Sequence, residues 1–243
     1  MREPRRPDTV FWVDPSAVQG DRLTLDLEES HHLLHVHRAV AGTQFVAVDG
    51  VGFTYECLLE SSDRGLAVGS VIRTLREQGE PPVPITLLVG LPDAGPAETV
   101  VAHAVPLGAS AIDFVACTRA GRPALGPTRV SRLSRIAVSA LKQSRRSRLP
   151  AVRSSASLEA ALALLDDGPR FQADPEGRSR LDPHHESIQA PISLAVGPPG
   201  GFTPEEAARL LVARFEPISL GNSRLTTETA AIALLAVIRN QLK

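Results

Sequence analysis

Residues 197–202 read Gly-Pro-Pro-Gly-Gly-Phe, and residues 220–230 read Leu-Gly-Asn-Ser-Arg-Leu-Thr-Thr-Glu-Thr-Ala. Each stretch follows an apolar run of strand character and opens a run of helix character. Two strand-to-helix turns separated by one strand-helix unit face each other at one end of a parallel sheet. Their glycines let backbone approach a ligand, and the helix starts behind them expose unpaired N–H groups. A site for a polar cofactor can be built this way from main chain. The P-loop is excluded because no Gly-Lys-Ser/Thr follows Gly200-Gly201, and the glycines do not fall as G-x-G-x-x-G.

Thr203-Pro204-Glu205-Glu206 reads as an N-cap threonine, a proline at the first helical position and a glutamate at the third, a complete capping box. A helix therefore starts directly behind the first loop and runs from Pro204 to Arg214. Upstream, strands are predicted over Ile85–Val89, Ala111–Cys117, Ile192–Val196 and Pro217–Leu220. Helices are predicted up to Pro106-Leu107-Gly108 and over Val130–Arg146, Ala156–Leu165 and Thr227–Leu242. Strands alternating with helices indicate a mainly parallel α/β sheet. The polar stretch Asp174 to His185 reads as a surface loop.

The pattern before residue 79 differs. Leu23–Leu27 alternates with period two, Gln44–Asp49 and Phe53–Leu59 flank the Gly50-Val51-Gly52 turn as a hairpin, and Leu66–Ile72 is a further strand. Ser30–Val40 reads as a helix, with Ser30 as its N-cap and Gly42 beyond its end. Short strands around one helix suggest a small barrel. The proline-rich stretch around Pro81-Pro82-Val83-Pro84 can continue neither strand nor helix. The expected division is a barrel over residues 1–78, a linker over 79–84 and an α/β domain over 85–243.

The 243 residues are 43% hydrophobic and 22% charged, enough for an ordinary globular core. No apolar run approaches the roughly 20 residues that cross a bilayer. The N-terminus has no secretory h-region. Cys57 and Cys117 stand in apolar contexts and read as reduced core residues, so a cytoplasmic protein is expected. The net charge of -1 hides an acid-free stretch between Asp113 and Glu159 that carries Arg119, Arg122, Arg129, Arg132, Arg135, Lys142, Arg145, Arg146, Arg148 and Arg153. With no acid at i,i+4, this segment reads as a positive surface for a polyanion. His31 and His35 share a helical face with His32 and His37 nearby, and His184-His185 lie far along the chain. A polar face or RNA contact is the reading, and no metal is expected.

Taken in order, the two C-terminal loops resemble those of the ribosomal RNA small subunit methyltransferase E family, of the SPOUT class. That family carries Gly-Pro-Glu-Gly-Gly-Phe and then Leu-Gly-x-Arg-Ile-Leu-Arg-x-Glu-Thr-Ala. His32-Leu33 through Arg38, Gly42 and the Asp49-Gly50 turn resemble its N-terminal pattern, and Gln143-Ser144, Arg146 and Pro150 resemble its Glu-Gln-Ser-x-Arg-x-x-x-Pro segment. The resemblance implies a trefoil-knotted α/β domain with a small N-terminal PUA-like β-barrel that holds RNA. It implies a homodimer that binds S-adenosylmethionine and methylates N3 of a uridine in 16S rRNA, free or in the small ribosomal subunit. Carried over, the cofactor residues are Gly197, Pro199, Gly200, Gly201, Leu220, Gly221, Asn222, Leu225 and Thr227, and the RNA contacts are His32, Arg38, Arg145 and Arg146.

The chain departs from the family at Pro199, where a glutamate is usual, and at Ser223 and Thr226, where arginines are usual. His103, Pro106 and Lys142 replace Lys, Glu and Glu. A non-catalytic RNA-binding relative, or a methyltransferase of the same fold acting on another RNA, therefore stay open. Methylating uridine N3 requires removing its proton or stabilising the resulting anion, and arginine suits the second task. The catalytic candidates are Arg224 at the second loop, Arg146 at the end of the basic helix, and Glu228 as a base or as an acid favouring a helix N-terminus.

Overall fold

Asp26, not Ser30, starts the first helix. The computed structural model describes residues 9–177 and 189–242, so the loop expected up to His185 lies partly outside the described residues and His184-His185 wholly so. The first unit comprises the chain up to Glu80 together with Leu141–Leu149. Its strands are β1 (Val10–Trp12), β2 (Val18–Gln19), β3 (Arg22–Thr24), β4 (Gln44–Val48), β5 (Phe53–Asp63) and β6 (Leu66–Arg76), in the order β1-β4-β5-β6-β3-β2. Only β1 and β4 pair in parallel; the other neighbours are antiparallel.

The expected strand over Leu23–Leu27 is cut short because the Asp26 carboxylate accepts the Glu29 N–H at 2.8 Å and begins α1 (Leu27–His31). Ser30 is buried, where its hydroxyl donates to the Leu25 carbonyl and accepts the Ala67 N–H. It fastens the helix to the sheet. The helix continues through a π turn over His32–Val36. Phe11, Leu23, Leu25, Leu33, Phe45 and Cys57 fill the core beneath. At the expected hairpin, Asp49 accepts the N–H groups of Val51 and Phe53 and the Tyr55 hydroxyl.

The second unit comprises Pro81–Ala140 and the chain from Pro150 onward. It contains, in chain order, β7 (Ile85–Gly90), α2 (Ala94–Ala104), β8 (Ala111–Val115), α3 (Pro127–Ser144), β9 (Ala151–Ser155), α4 (Leu158–Leu162), β10 (Arg170–Ala173), β11 (Ile192–Val196), α5 (Pro204–Val212), β12 (Phe215–Ile218) and α6 (Thr227–Gln241). The sheet order is β12-β10-β11-β7-β8-β9, and every pairing is parallel. Two strands of this unit escape sequence reading, as β1 and β2 do in the first. β9 is a polar edge strand, and β10 has only four residues, one of them Gln172, too short for any periodicity to register. Pro217 lies inside β12, tolerated at a sheet edge where its missing N–H breaks no ladder.

Leu158, Ala161 and Leu210 of α4 and α5 pack with Leu88, Ala195 and Phe215 of the sheet. α6 packs against α2, β7 and β11, burying Ala230, Ala231, Leu234, Leu235 and Ile238. These five residues are thus covered within their own unit. Among the described residues no helix is long and apolar enough to cross a membrane.

The division expected at 79–84 omits one segment. The last turn of α3 and the residues up to Leu149 belong to the first unit, and Glu80 shows why. Its carboxylate accepts Arg146 Nη2 at 2.6 Å and Nε at 3.2 Å, and the N–H groups of Ser147 and Arg148 at 2.9 Å each. Gly50 and Ser147 accept the N–H groups of Leu149 and Gly52, respectively. Arg146 is only 2% exposed. This corrects its expected place on an open basic face.

The same correction extends along the acid-free stretch. Lys142 pairs with Glu29, Arg148 with Glu77, Arg122 with Asp93 and Arg132 with Glu98. The acids missing from i,i+4 positions arrive from distant sequence, so at least five of the ten cations are engaged in ion pairs once Arg146–Glu80 is included, while Arg129 and Arg135 stay exposed.

Replacing Arg146 with alanine leaves the Glu80 charge buried and uncompensated, so the unfolding free energy in urea should fall by about 3–5 kcal/mol. Wild-type stability in the variant would refute this role. Burial, with a smaller contribution from a neighbouring glutamate in each case, pushes both the Cys57 and Cys117 thiols up to about 12. The native state then keeps protons that the unfolded state releases, so stability should fall as pH climbs from about 9 toward about 12. At pH 8 both thiols should react with a disulfide reagent only as fast as the protein unfolds. Prompt labelling would contradict their burial.

Candidate active site

All six parallel strands of the second unit deliver their C-terminal ends to one edge, where ligands of open α/β sheets bind. The β11–α5 loop turns there on a Gly201 N–H to Pro198 carbonyl bond of 2.7 Å, with Gly201 at φ 72°. A side chain at Gly201 would be strained by this left-handed backbone although the space around it is open. At the end of β7 the constraint is contact instead: a Cβ on Gly90 would overlap Pro198.

The capping box forms as the residues require. Glu206 accepts the Thr203 N–H at 2.9 Å, and its own N–H is bound by the Thr203 hydroxyl at 3.2 Å. The other Glu206 oxygen accepts the Thr118 N–H at 2.8 Å, from the loop after β8. Arg119, next in that loop, donates to the carbonyls of Gly200 and Phe202 at 3.1 Å each. The second glycine loop is tied in from the other side, where the buried Thr227 hydroxyl donates to the Gly197 carbonyl at 3.1 Å. Thr226 caps α6, and Gly221 takes φ 120°.

Between these loops lies an open cleft of about 990 Å³. Gly197, Pro199, Gly200, Gly201, Leu220, Gly221, Asn222, Leu225 and Thr227 all line it, as do Arg224 and Glu228. The structure therefore brings every expected cofactor residue to one cavity, with two of the three catalytic candidates. Arg146 is not among them. His32, Arg38 and Arg145 belong to the first unit, like Arg146. His32 is exposed beside Phe11 and His37, and Arg38 and Arg145 adopt left-handed backbone at φ 54° and 57°.

Other lining residues carry no signal in the bare sequence. Asp93 stands at the N-terminal boundary of α2 with its carboxylate on Arg122, and Asp174 and Glu176 follow β10. With Glu228 they make four carboxylates against Arg119 and Arg224, and Arg119 is engaged by backbone carbonyls. Gln172 is 4% exposed and lines the cleft, and its Oε1 has no hydrogen-bond partner among the described residues. Arg119 is hidden from sequence reading among the basic residues, and Glu206 within its cap. Only the glycine loops have a local signature.

A model of an RNA methyltransferase domain matches residues 79–239, and one of an RNA methyltransferase PUA domain matches residues 25–72. The chain is 30% identical over 247 aligned residues to the ribosomal RNA small subunit methyltransferase E of Mycobacterium bovis, covering 94% of this chain and 90% of that one. The chain belongs to the ribosomal RNA small subunit methyltransferase E family. The Synechocystis methyltransferase E is also 30% identical, over 93% of this chain and 75% of its own. A probable rRNA-methyltransferase from Porphyromonas gingivalis superposes with a TM-score of 0.82 at 29% identity, over 96% of this chain and 98% of its own. The Neisseria gonorrhoeae methyltransferase E, crystallised bound to S-adenosyl methionine, shares the fold at 24% identity and a TM-score of 0.82, over the same shares of the two chains. The methyltransferase E architecture, an α/β domain behind an N-terminal PUA domain, is the fold of this chain.

Removing the Glu206 carboxylate strands two backbone N–H groups. Glu206→Ala should cost about 2 kcal/mol and speed amide exchange at Thr118 and Thr203 more than at the β7 core. Unchanged exchange at both amides would show that the loops hold without it.

Proposed function

We propose that this chain transfers a methyl group from S-adenosylmethionine to N3 of a uridine in 16S rRNA, as free RNA or in the small ribosomal subunit. The observation that carries the reading is the acid-lined cleft between the two glycine loops of a methyltransferase E family member. The residues fit the cofactor. S-adenosylmethionine bears a sulfonium and an ammonium against one carboxylate, which suits Asp174, Glu176 and Glu228 facing Arg224, Asp93 being paired with Arg122. A triphosphate would be repelled by the same lining. Main chain of residues 197–201 and 220–225 would hold it, with Thr227 bracing one loop against the other.

When bound, the cofactor supplies an electrophilic methyl carbon on sulfur. The chain supplies position and charge, which for an in-line displacement are most of the catalysis. Loss of the N3 proton to a base leaves negative charge spread over N3, O2 and O4, and N3 then takes the methyl carbon as the carbon–sulfur bond breaks, its electron pair staying on sulfur. Arg224, exposed at the cleft, is assigned to that charge, because a guanidinium stays protonated and donates in a plane. Glu228, partly buried in the first turn of α6, is assigned to accept the proton. Arg146 has no part, since its guanidinium is buried against Glu80. His32, Arg38 and Arg145 remain the RNA contacts, and a homodimer remains part of the reading.

The test incubates purified protein with labelled S-adenosylmethionine and unmodified small subunits, and maps the product by mass spectrometry. A methyl group on ribose or on another base would defeat the N3 assignment, and cofactor binding without transfer would favour the non-catalytic relative. Arg224→Ala should lower kcat about 100-fold, and Glu228→Gln by a similar factor, each with RNA affinity nearly kept. Gly201→Val should abolish cofactor binding in calorimetry on folded protein. Arg145 occupies a left-handed position that glycine prefers. Arg145→Gly suits that backbone conformation and should lower the salt slope of RNA binding by about 0.7–0.9, one phosphate contact. An unchanged slope would remove Arg145 from the RNA surface.

A further inference from the structure

Arg119 stands in a short turn, Thr118–Ala120, whose backbone is held at both ends. Glu206 accepts the Thr118 N–H, and the Cys117 carbonyl accepts the Ala120 N–H at 3.0 Å. The Arg119 stem packs along the first glycine loop, where a Cβ on Gly200 would come within 3.1 Å of Arg119 Cβ. One nitrogen, Nη1, makes both bonds to that loop, to the carbonyls of Gly200 and Phe202. Nε and Nη2 have no partner among the described residues, and the side chain is exposed and lines the cleft. Glu205 feels this cation only to a lesser degree: its carboxyl is held below the usual range chiefly by hydrogen bonds to its own N–H and to Thr203.

The edge formed by Nε and Nη2 has a use elsewhere in this chain. In Arg22–Glu60, Arg146–Glu80 and Arg148–Glu77 those same two nitrogens donate together to a carboxylate. Two parallel donors match the two oxygens of that group, which makes the pair both strong and directional. At Arg119 the described protein supplies no carboxylate, and the edge belongs to a side chain at a ligand cleft. Charge then chooses among the anions that could meet it. Asp174, Glu176 and Glu228 line the same cleft. A phosphate would bring them only negative charge and be opposed by each. An amino acid brings its own ammonium, so its carboxylate can meet an arginine while its cation stays among the acids.

We propose that Arg119 recognises the amino-acid end of the cofactor, its Nε and Nη2 donating to the carboxylate. The proposal rests on the S-adenosylmethionine reading above and adds a specificity-determining side chain to a loop held through its main chain. Nη1 keeps the loop in place, so one guanidinium joins loop and ligand. Because that guanidinium is already tethered, binding has little side-chain freedom left to remove.

The experiment is calorimetric titration of the full chain, without RNA or turnover, with two compounds. One is S-adenosylhomocysteine; the other is its decarboxylated form, which keeps the nucleoside, the sulfur and the amine. Wild-type protein should bind the first about tenfold or more tightly than the second. Arg119→Gln, which keeps an amide donor for the loop carbonyls, should erase that preference while the decarboxylated compound binds nearly as before. Arg119→Met removes the tether as well and should weaken both compounds, again with no preference between them. Either variant decides the matter should the other fail to fold. A variant that weakens both compounds but keeps the full preference overturns the proposal and leaves Arg119 a prop for the loop. Loss of the preference in Arg224→Ala instead would give the carboxylate to the other cleft arginine and overturn it equally. Wild-type protein without a preference, together with a lower salt slope of RNA binding in Arg119→Gln, would overturn it in favour of a phosphate contact. Wild-type protein that binds neither compound overturns the cofactor reading itself, and this proposal with it.

Discussion

One buried carboxylate holds the two halves of the first glycine loop's support in register. Glu206 closes the cap of α5 with one oxygen and accepts the Thr118 N–H from the loop after β8 with the other. A parallel sheet brings its loops to a common edge, but it does not set their positions relative to one another. Here that is done by polar side chains acting on backbone. Glu206 anchors Thr118, Arg119 gathers the carbonyls of Gly200 and Phe202, and Thr227 reaches from α6 to the Gly197 carbonyl. The glycines provide conformational permission, and these three side chains convert it into a defined shape.

The basic segment shows how charge is read wrongly along a chain and correctly in space. Coulomb interaction depends on distance between groups, not on their separation in sequence. Acids at positions 29, 77, 80, 93 and 98 meet cations at 142, 148, 146, 122 and 132. The most buried of these pairs, Arg146–Glu80, does structural work: it binds the end of α3 to the first unit together with the backbone of Ser147 and Arg148. Such a pair contributes little net stability compared with an apolar replacement, yet breaking it by removing one partner is costly. It is better understood as a device that specifies where this stretch of chain belongs.

The cleft combines two kinds of construction. Its walls near Gly197–Phe202 and Leu220–Thr226 are main chain, legible because glycine, proline and threonine cap chemistry is local. Its floor and charged rim come from Gln172, Asp174, Glu176 and Asp93, which stand on other strands and turns. Side chains of that second kind have no sequence pattern of their own. Gln172 sits in a four-residue strand that no periodicity can reveal, and it matters only because β10 is inserted between β11 and β12.

What the amino-acid sequence determined alone was everything decided within one or two turns of chain. That includes the capping box at Thr203–Glu206, the glycine turns, the alternation of strands and helices after Pro84 and the hairpin at Asp49-Gly50. These depend on backbone freedom and on hydrogen bonds between residues a few positions apart, so they are written locally. Tertiary structure decided which cations were neutralised, that Leu141–Leu149 joins the first unit, that α6 packs within its own unit and that the Gln172 amide oxygen is buried with no partner among the described residues. Each of these outcomes depends on desolvation and on partners brought together from distant sequence. Neither quantity exists until the chain has folded.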